Sequence, residues 1–137
     1  LNIVSHPPAP KLTEYHKGYI QRRAARLTNE RRDMIAAVVR DFVAVAGDKP
    51  VTEYGKSDGS DFVDLLLGLP ANWHKKPKLR NLAVTDVPAA AVAAGVSPQP
   101  PTSVLKKVQY IKAIFDDAAE RLDGINVTFP TGGLPKS

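Results

Sequence analysis

One segment, residues 102–122, constrains the fold more than any other part of the chain. Its apolar residues recur at spacings of three and four, which places one face of a helix against a core. They are Val104, Val108, Ile111, Phe115, Ala118 and Leu122, with Leu105, Ile114 and Ala119 widening the stripe. Pro100 and Pro101 precede the segment and Gly124 follows it, as is typical of helix ends. We therefore predict a long amphipathic helix that ties a bundle together.

The polar side of this helix is divided by charge. Lys106, Lys107 and Lys112 lie in its first half, and acidic residues that include Asp116 and Asp117 lie in its second half. Such a helix can hold a polyanion at its start, or it can simply face water. If it binds a polyanion, we expect the acidic half to point away from it.

Four further segments have helical character, at about 12–25, 29–45, 57–69 and 83–95. Thr13, the pair Thr28-Asn29, and either Thr85 or Asp86 are the expected N-terminal caps. Gly47 and Gly95 are suited to the turns that end two of these helices. No run alternates as a strand does, so the chain is predicted to be all-α, a small bundle of four to five helices.

Length and composition indicate one domain with tails. The chain has 137 residues, and its 43% hydrophobic and 24% charged residues are ordinary globular values. It has no cysteine, and no apolar run approaches the ~20 residues of a membrane span. We divide it into a proline-rich tail at 1–11, a helical domain at 12–123 and a linker or strap at 124–137. Because residue 1 is Leu, we expect a piece of a longer protein.

The residues that usually carry catalysis form no recognisable site. His6, His16 and His74 have no partner at a spacing that binds metal, and no nucleotide-binding or nucleophile motif occurs. Asp116 and Asp117 are adjacent, so on a helix they point apart. We expect no metal, no cofactor and no small-molecule substrate.

Basic residues are the remaining chemistry. The net charge is +5, which favours a polyanionic partner, although a solvated surface explains most runs of charge. Candidate contacts occur at the start of the third helix, in the loop at 71–82 and at the start of the long helix. They are Lys56, Ser57, Lys75, Lys76, Lys78, Arg80, Thr102, Ser103, Lys106, Lys107 and Lys112.

The order of these segments resembles the core-binding domain of the tyrosine recombinases, or phage integrases. Residues 33–70, DMIAAVVRDFVAVAGDKPVTEYGKSDGSDFVDLLLGLP, are similar to its amphipathic helix, Gly-Asp-x-Pro-Val turn and short helix. Residues 97–122, SPQPPTSVLKKVQYIKAIFDDAAERL, are similar to its last helix. The chain departs from the family at Asp117-Ala118, where many members have Trp-Ala, and at Asn126-Val127, where many have Asn-Pro.

The resemblance implies an orthogonal, SAM-like bundle that grips double-stranded recombination-site DNA. It assigns the contacts to Lys56 and Ser57 and to Thr102, Ser103, Lys106 and Lys107. The family's catalytic Arg, His and Tyr belong to a separate domain, and no His-x-x-Arg occurs here, so the chain is expected to bind DNA without cutting it. It further implies a cytoplasmic protein of bacterial or phage origin whose parent protomers assemble on DNA. The alternative is a helical protein-interaction domain with no nucleic-acid role.

Overall fold

Five α-helices and the shorter segments that connect and flank them make up the described part of the chain. The structure, a computed structural model, describes residues 9–134. Within that range 66% helix and no β-strand are found, which confirms the all-α prediction. The helices are α1 (Leu12–Arg23), α2 (Asn29–Ala46), α3 (Lys56–Gly68), α4 (Val87–Ala93) and α5 (Pro101–Arg121). The orthogonal, SAM-like arrangement stays a prediction.

The long helix α5 is the element against which α1, α2 and α3 all pack. The side chains that the three-and-four spacing selects are buried along its whole length, from Val104 to Ala118. The widened stripe is wrong at one position, because Ala119 is exposed and Asp117 is buried. Successive residues on a helix point ~100° apart. The buried face of α5 therefore extends from Ala118 toward Asp117 and not toward Ala119.

Aromatic side chains fill the centre of the bundle. The ring of Phe42 on α2 meets Tyr54, Phe62 and Phe115 edge-on, with centroids 5.1, 5.2 and 5.7 Å apart. This geometry places the positive edge of one ring on the negative face of another. The Tyr54 hydroxyl donates to Gly47 O at 2.7 Å and accepts from Lys49 N at 2.8 Å, so the end of α2 is fastened to the core.

Two helix-end predictions for α2 are confirmed. Thr28 precedes the helix in an extended conformation, and its side chain accepts a hydrogen bond from Arg31 N at 3.1 Å. Gly47 ends it with φ of 83°, a conformation that residues with a Cβ rarely adopt. The sequence thus marks both ends of this helix correctly.

The predicted cap of α1 is wrong, whereas at α4 Asp86 stands at the predicted cap position. Lys11, not Thr13, precedes α1, and the carboxylate of Asp48 accepts from Thr13 N at 3.1 Å and from Thr13 Oγ1 at 2.6 Å. The cap therefore comes from a residue 35 positions later, which no local pattern contains. At α4, Asp86 makes no capping hydrogen bond, and Thr85 lies in a preceding 3-10 turn.

The segments that flank the helices pack on the bundle. In the predicted tail, Pro10 O accepts from Val51 N at 3.0 Å and Ala9 packs on the core, whereas residues 1–8 lie outside the described range. In the predicted linker, residues 125–129 form a strap. Its Phe129 ring lies 5.9 Å from that of Phe42, and its Thr128 carbonyl crosses α3 at Gly59. The bundle thus extends beyond 12–123 at both ends.

Candidate nucleic-acid interface

The basic loop at 71–82 is a chain of tight turns. Trp73–Lys75 form a 3-10 turn, and backbone hydrogen bonds of 2.9–3.0 Å join Leu79 N and Arg80 N to Lys76 O. The Leu79 side chain is completely buried and anchors the segment, and Asn72 enters it in a left-handed conformation with φ of 55°. These turns therefore fix the backbone positions from which the charged side chains of the loop extend.

The cations of this loop face solvent without acidic partners. Lys75, Lys78 and Arg80 are exposed and Lys76 is half-buried. Among the described residues, no carboxylate lies within ion-pair distance of any of the four. Their positive charge is thus available to a partner.

The start of α5 lies beside this loop. Gln99, just before the helix, donates from its backbone N–H to Leu69 O at 2.9 Å and from Nε2 to Leu66 O at 2.8 Å. Lys107 lines a cleft of about 230 Å³ together with Trp73 and His74. The first turns of α5 and the loop therefore share one end of the molecule.

The predicted residues on these first turns divide into two groups. Thr102 and Lys106 are exposed and, four residues apart, lie on one helix face. Lys107 instead points inward, and its Nζ donates to Gln99 Oε1 at 2.6 Å. Burial lowers the pKa of Lys107, while the carboxylate of Asp41 opposes that shift. Lys107 therefore makes a hydrogen bond within the bundle and is not an exposed phosphate contact.

Three other predicted residues also lie apart from the loop. Lys112 is exposed but is paired with Asp116 at 2.8 Å, one helical turn further on. Lys56 and Ser57 begin α3, whereas α5 begins beside its last turn, at Leu66 and Leu69. A helix of 13 residues is ~18 Å long, so these two residues lie at the other end of the bundle.

Seven of the predicted residues thus lie at the same end of the bundle, and we call them the basic edge: Lys75, Lys76, Lys78, Arg80, Thr102, Ser103 and Lys106. An apolar groove of about 590 Å³ runs close to it between α2 and residues 73–84. Its walls include Ala37 and Ala44 on one side and Trp73 and Val84 on the other.

A second basic cluster was not among the predicted site residues. Arg22 Nη2 and Arg23 Nη2 lie 2.7 and 3.1 Å from the carboxylate oxygens of Asp117, and Arg121 Nε lies 3.4 Å away. The Tyr15 hydroxyl donates to the same carboxylate. The dense run of arginines at 22–32 was the available signal, but the partner, Asp117, is 95 residues from Arg22 and 94 from Arg23.

Electrostatics in this cluster favour the ionised carboxylate. Burial on its own would raise the pKa of Asp117, but hydrogen bonds from Tyr15 and Arg22 and the charges of Arg22 and Arg121 outweigh it and lower the pKa. The pKa of Tyr15 is raised to about 12, first by burial and then by its hydrogen bond to Asp117. The assignment of Asp117 to the polar side of α5 is therefore wrong, because its carboxylate is buried against α1.

Other chemistry is sparse in the described part of the chain. Residues 9–134 contain no group of three His, Cys, Asp or Glu side chains arranged to hold a metal ion. In the same range no helix has both the length and the apolar character needed to cross a membrane. His16 is half-buried, its Nε2 has no hydrogen-bond partner there, and burial lowers its pKa. His6 lies outside the described residues.

Comparison of the chain with models of known protein families, with curated proteins and with solved structures finds no match in any of the three. The site must therefore be interpreted from its own geometry.

Proposed function

We propose that the chain binds double-stranded DNA through the basic edge. The observation that carries the proposal is the set of cations at 75–80, without acidic partners and held on a turn-stabilised backbone beside the start of α5. Lysine and arginine contacts to phosphates provide affinity by releasing counterions from the duplex. Rigid presentation lowers the conformational entropy lost when the contacts form.

The start of α5 adds to this surface. Ser103 N and Val104 N already donate to Pro100 O, and Pro101 has no N–H, so the backbone N–H and the hydroxyl of Thr102 are the first-turn groups that remain for a partner. Backbone N–H groups at a helix start attract phosphate, and the Thr102 hydroxyl and Lys106 ammonium lie on the same face. These contacts fix position on the duplex and carry no sequence information on their own.

By its resemblance to the core-binding domain of tyrosine recombinases, we further propose that the chain is the DNA-gripping part of such a recombinase. Strand cleavage then belongs to another domain of the parent, and the parent protomers assemble on the DNA. The support for this narrower proposal is the order of segments at 33–70 and 97–122.

Fluorescence anisotropy with a labelled duplex at 50 to 200 mM salt tests DNA binding. If about four phosphates are neutralised, log K falls against log salt with a slope of about −3 to −4. The double variant Lys78→Glu/Lys106→Glu should weaken binding at least ~tenfold for any sequence, because it places negative charges among the phosphates. Lys107 is unsuitable for this test, since changing it breaks the contact to Gln99.

Lys112→Glu is the matched control, because this lysine on the same helix is already paired with Asp116. It alters the total charge but should reduce affinity much less than the change of either edge residue. A salt-independent affinity, or equal effects of edge and control variants, would rule out the proposed interface.

The apolar groove supports a second candidate, a protein-interaction domain. Its lining is largely apolar and Trp73 is half-buried in its wall, features that suit a docked protein segment. NMR chemical-shift mapping with duplex DNA separates the two functions. DNA binding predicts shifts at residues 75–80 and 102–106, whereas absence of shifts there would favour the groove.

A further inference from the structure

The Asp117 cluster also forms an open pocket on the surface. Arg22 and Arg23 from the end of α1, Arg26 from the 3-10 turn after it, and Arg121 from α5 line a space of about 210 Å³ above the carboxylate. A buried water needs only ~10–15 Å³ of such space, so the pocket has room for a small anion with its oxygens. It is separate from the basic edge, because Asp117 is eleven residues, or ~16 Å, further along α5 than Lys106.

Four guanidinium groups and one carboxylate leave the pocket with an excess of three positive charges. Both oxygens of Asp117, which is only 7% exposed, already accept hydrogen bonds: one from Tyr15 and Arg22, and the other from Arg23. Arg26 has no acidic partner among the described residues. The single internal anion therefore neutralises only part of the charge.

Two of the arginines are held in position by contacts other than the ion pairs. The guanidinium of Arg23 lies 4.5 Å from the ring centre of Tyr19, and that of Arg22 lies 5.4 Å from the ring centre of Tyr15. Both tyrosines are buried, so they provide a fixed base. Each guanidinium carries five N–H donors, and those not directed at Asp117 remain for a ligand in the pocket.

We propose that this arginine pocket is a binding site for a phosphate dianion, either inorganic phosphate or the terminal phosphate of a monoester. The planar donors of arginine match the oxygens of phosphate in pairs, and a charge of about −2 suits an excess of three positive charges. A backbone phosphodiester has one charge and fewer free oxygens, so it fits this pocket less well. The site does not depend on whether the basic edge binds DNA.

Isothermal titration at pH 7.5 and constant ionic strength tests the site with inorganic phosphate, methyl phosphate and dimethyl phosphate. We expect phosphate and methyl phosphate to bind and dimethyl phosphate to bind at least ~tenfold more weakly. The methyl phosphate arm distinguishes the two dianion sources, because a pocket closed to esters would accept phosphate alone. Equal binding of dimethyl phosphate, or a phosphate heat equal to that of chloride, would overturn the proposal.

Arg26→Gln is the decisive variant, since Arg26 is exposed and takes no part in the Asp117 contacts that hold α1 on α5. It should weaken phosphate binding about five- to tenfold. Arg80→Gln removes the same charge outside the pocket and should change phosphate binding by less than about twofold. Equal effects of the two variants would mean that phosphate responds only to total charge, which would contradict a specific site.

Discussion

At Asp117 one carboxylate accepts hydrogen bonds from a tyrosine and two arginines that belong to a different helix. These ion pairs and the tyrosine hydrogen bond join α1 to α5. The carboxylate is 6% exposed, but Arg22 and Arg23 remain 37% and 38% exposed, so water still solvates the cations.

We expect Asp117→Asn to lower the free energy of unfolding by about 1–3 kcal/mol in urea denaturation. The loss is smaller than for a fully buried ion pair, because the arginines can be rehydrated. Asp116→Asn is the matched control, since its pair with Lys112 is exposed and should contribute less than about 0.5 kcal/mol. Equal effects of the neighbouring substitutions would show that the Asp117 contacts do not stabilise the bundle.

The same residue gives a pH dependence of stability. Because the pKa of Asp117 is lowered on folding, its contribution is fully present above the pKa of an unfolded aspartate, about 4. The contribution is lost as the pH falls through the lower, folded value. The stability difference between the unaltered chain and Asp117→Asn should therefore shrink below about pH 4, and a difference that stays constant down to pH 2 would contradict this linkage.

At the scale of elements, the strap at 125–129 depends on the absence of a side chain on α3. A Cβ on Gly59 would lie 1.7 Å from the carbonyl oxygen of Thr128, which is far inside van der Waals contact. The glycine thus lets two backbones meet, and the strap covers Phe42 and Phe115 with the ring of Phe129.

Gly59→Ala should displace the strap and lower the free energy of unfolding by about 1–3 kcal/mol, the usual effect of overpacking. The NMR chemical shifts of residues 125–129 should move, because Phe129 leaves its place beside Phe42 and Phe115. Gly55→Ala provides the control, because a Cβ at Gly55 meets no atom within 4 Å and should lower stability by less than about 1 kcal/mol. Unchanged chemical shifts in the strap would contradict its anchoring at Gly59.

The helices could be predicted from the sequence, because apolar periodicity and end residues such as Gly47 and Pro101 are local signals. The contacts that hold the helices and the strap together join residues far apart in the sequence. Asp48 caps α1 from 35 positions away, Asp117 gathers arginines from α1, and Gly59 receives a carbonyl from the strap. In the candidate site, the loop lysines could be named from charge, whereas the inward orientation of Lys107 depends on Gln99.

At the scale of the whole molecule, positive charge is distributed over separate regions. The basic edge lies at the last turn of α3, the arginine pocket joins α1 to α5, and Lys56 begins α3 at the far end. A surface that only faces water would also have its positive charge spread in this way. Only cations that lie close to one another can therefore contact the same stretch of DNA.

We expect Lys56→Gln to change DNA affinity less than about twofold, while Lys78→Gln should weaken it by more than that. The two variants remove the same charge, so a difference reports location and not total charge. Anisotropy at 100 mM salt measures both. A larger effect at Lys56 would place the DNA on the end of the bundle where α3 begins and would refute the basic edge.

Trp73 makes the chain its own optical probe. It is the single tryptophan in the sequence, it is half-buried, and its ring lies 6.1 Å from that of His74, immediately before the exposed Lys75. It also borders the apolar groove. The intrinsic fluorescence of the protein therefore reports on the surroundings of Trp73 without any label. A ligand bound on the loop or in the groove changes the wavelength or the intensity of this tryptophan emission.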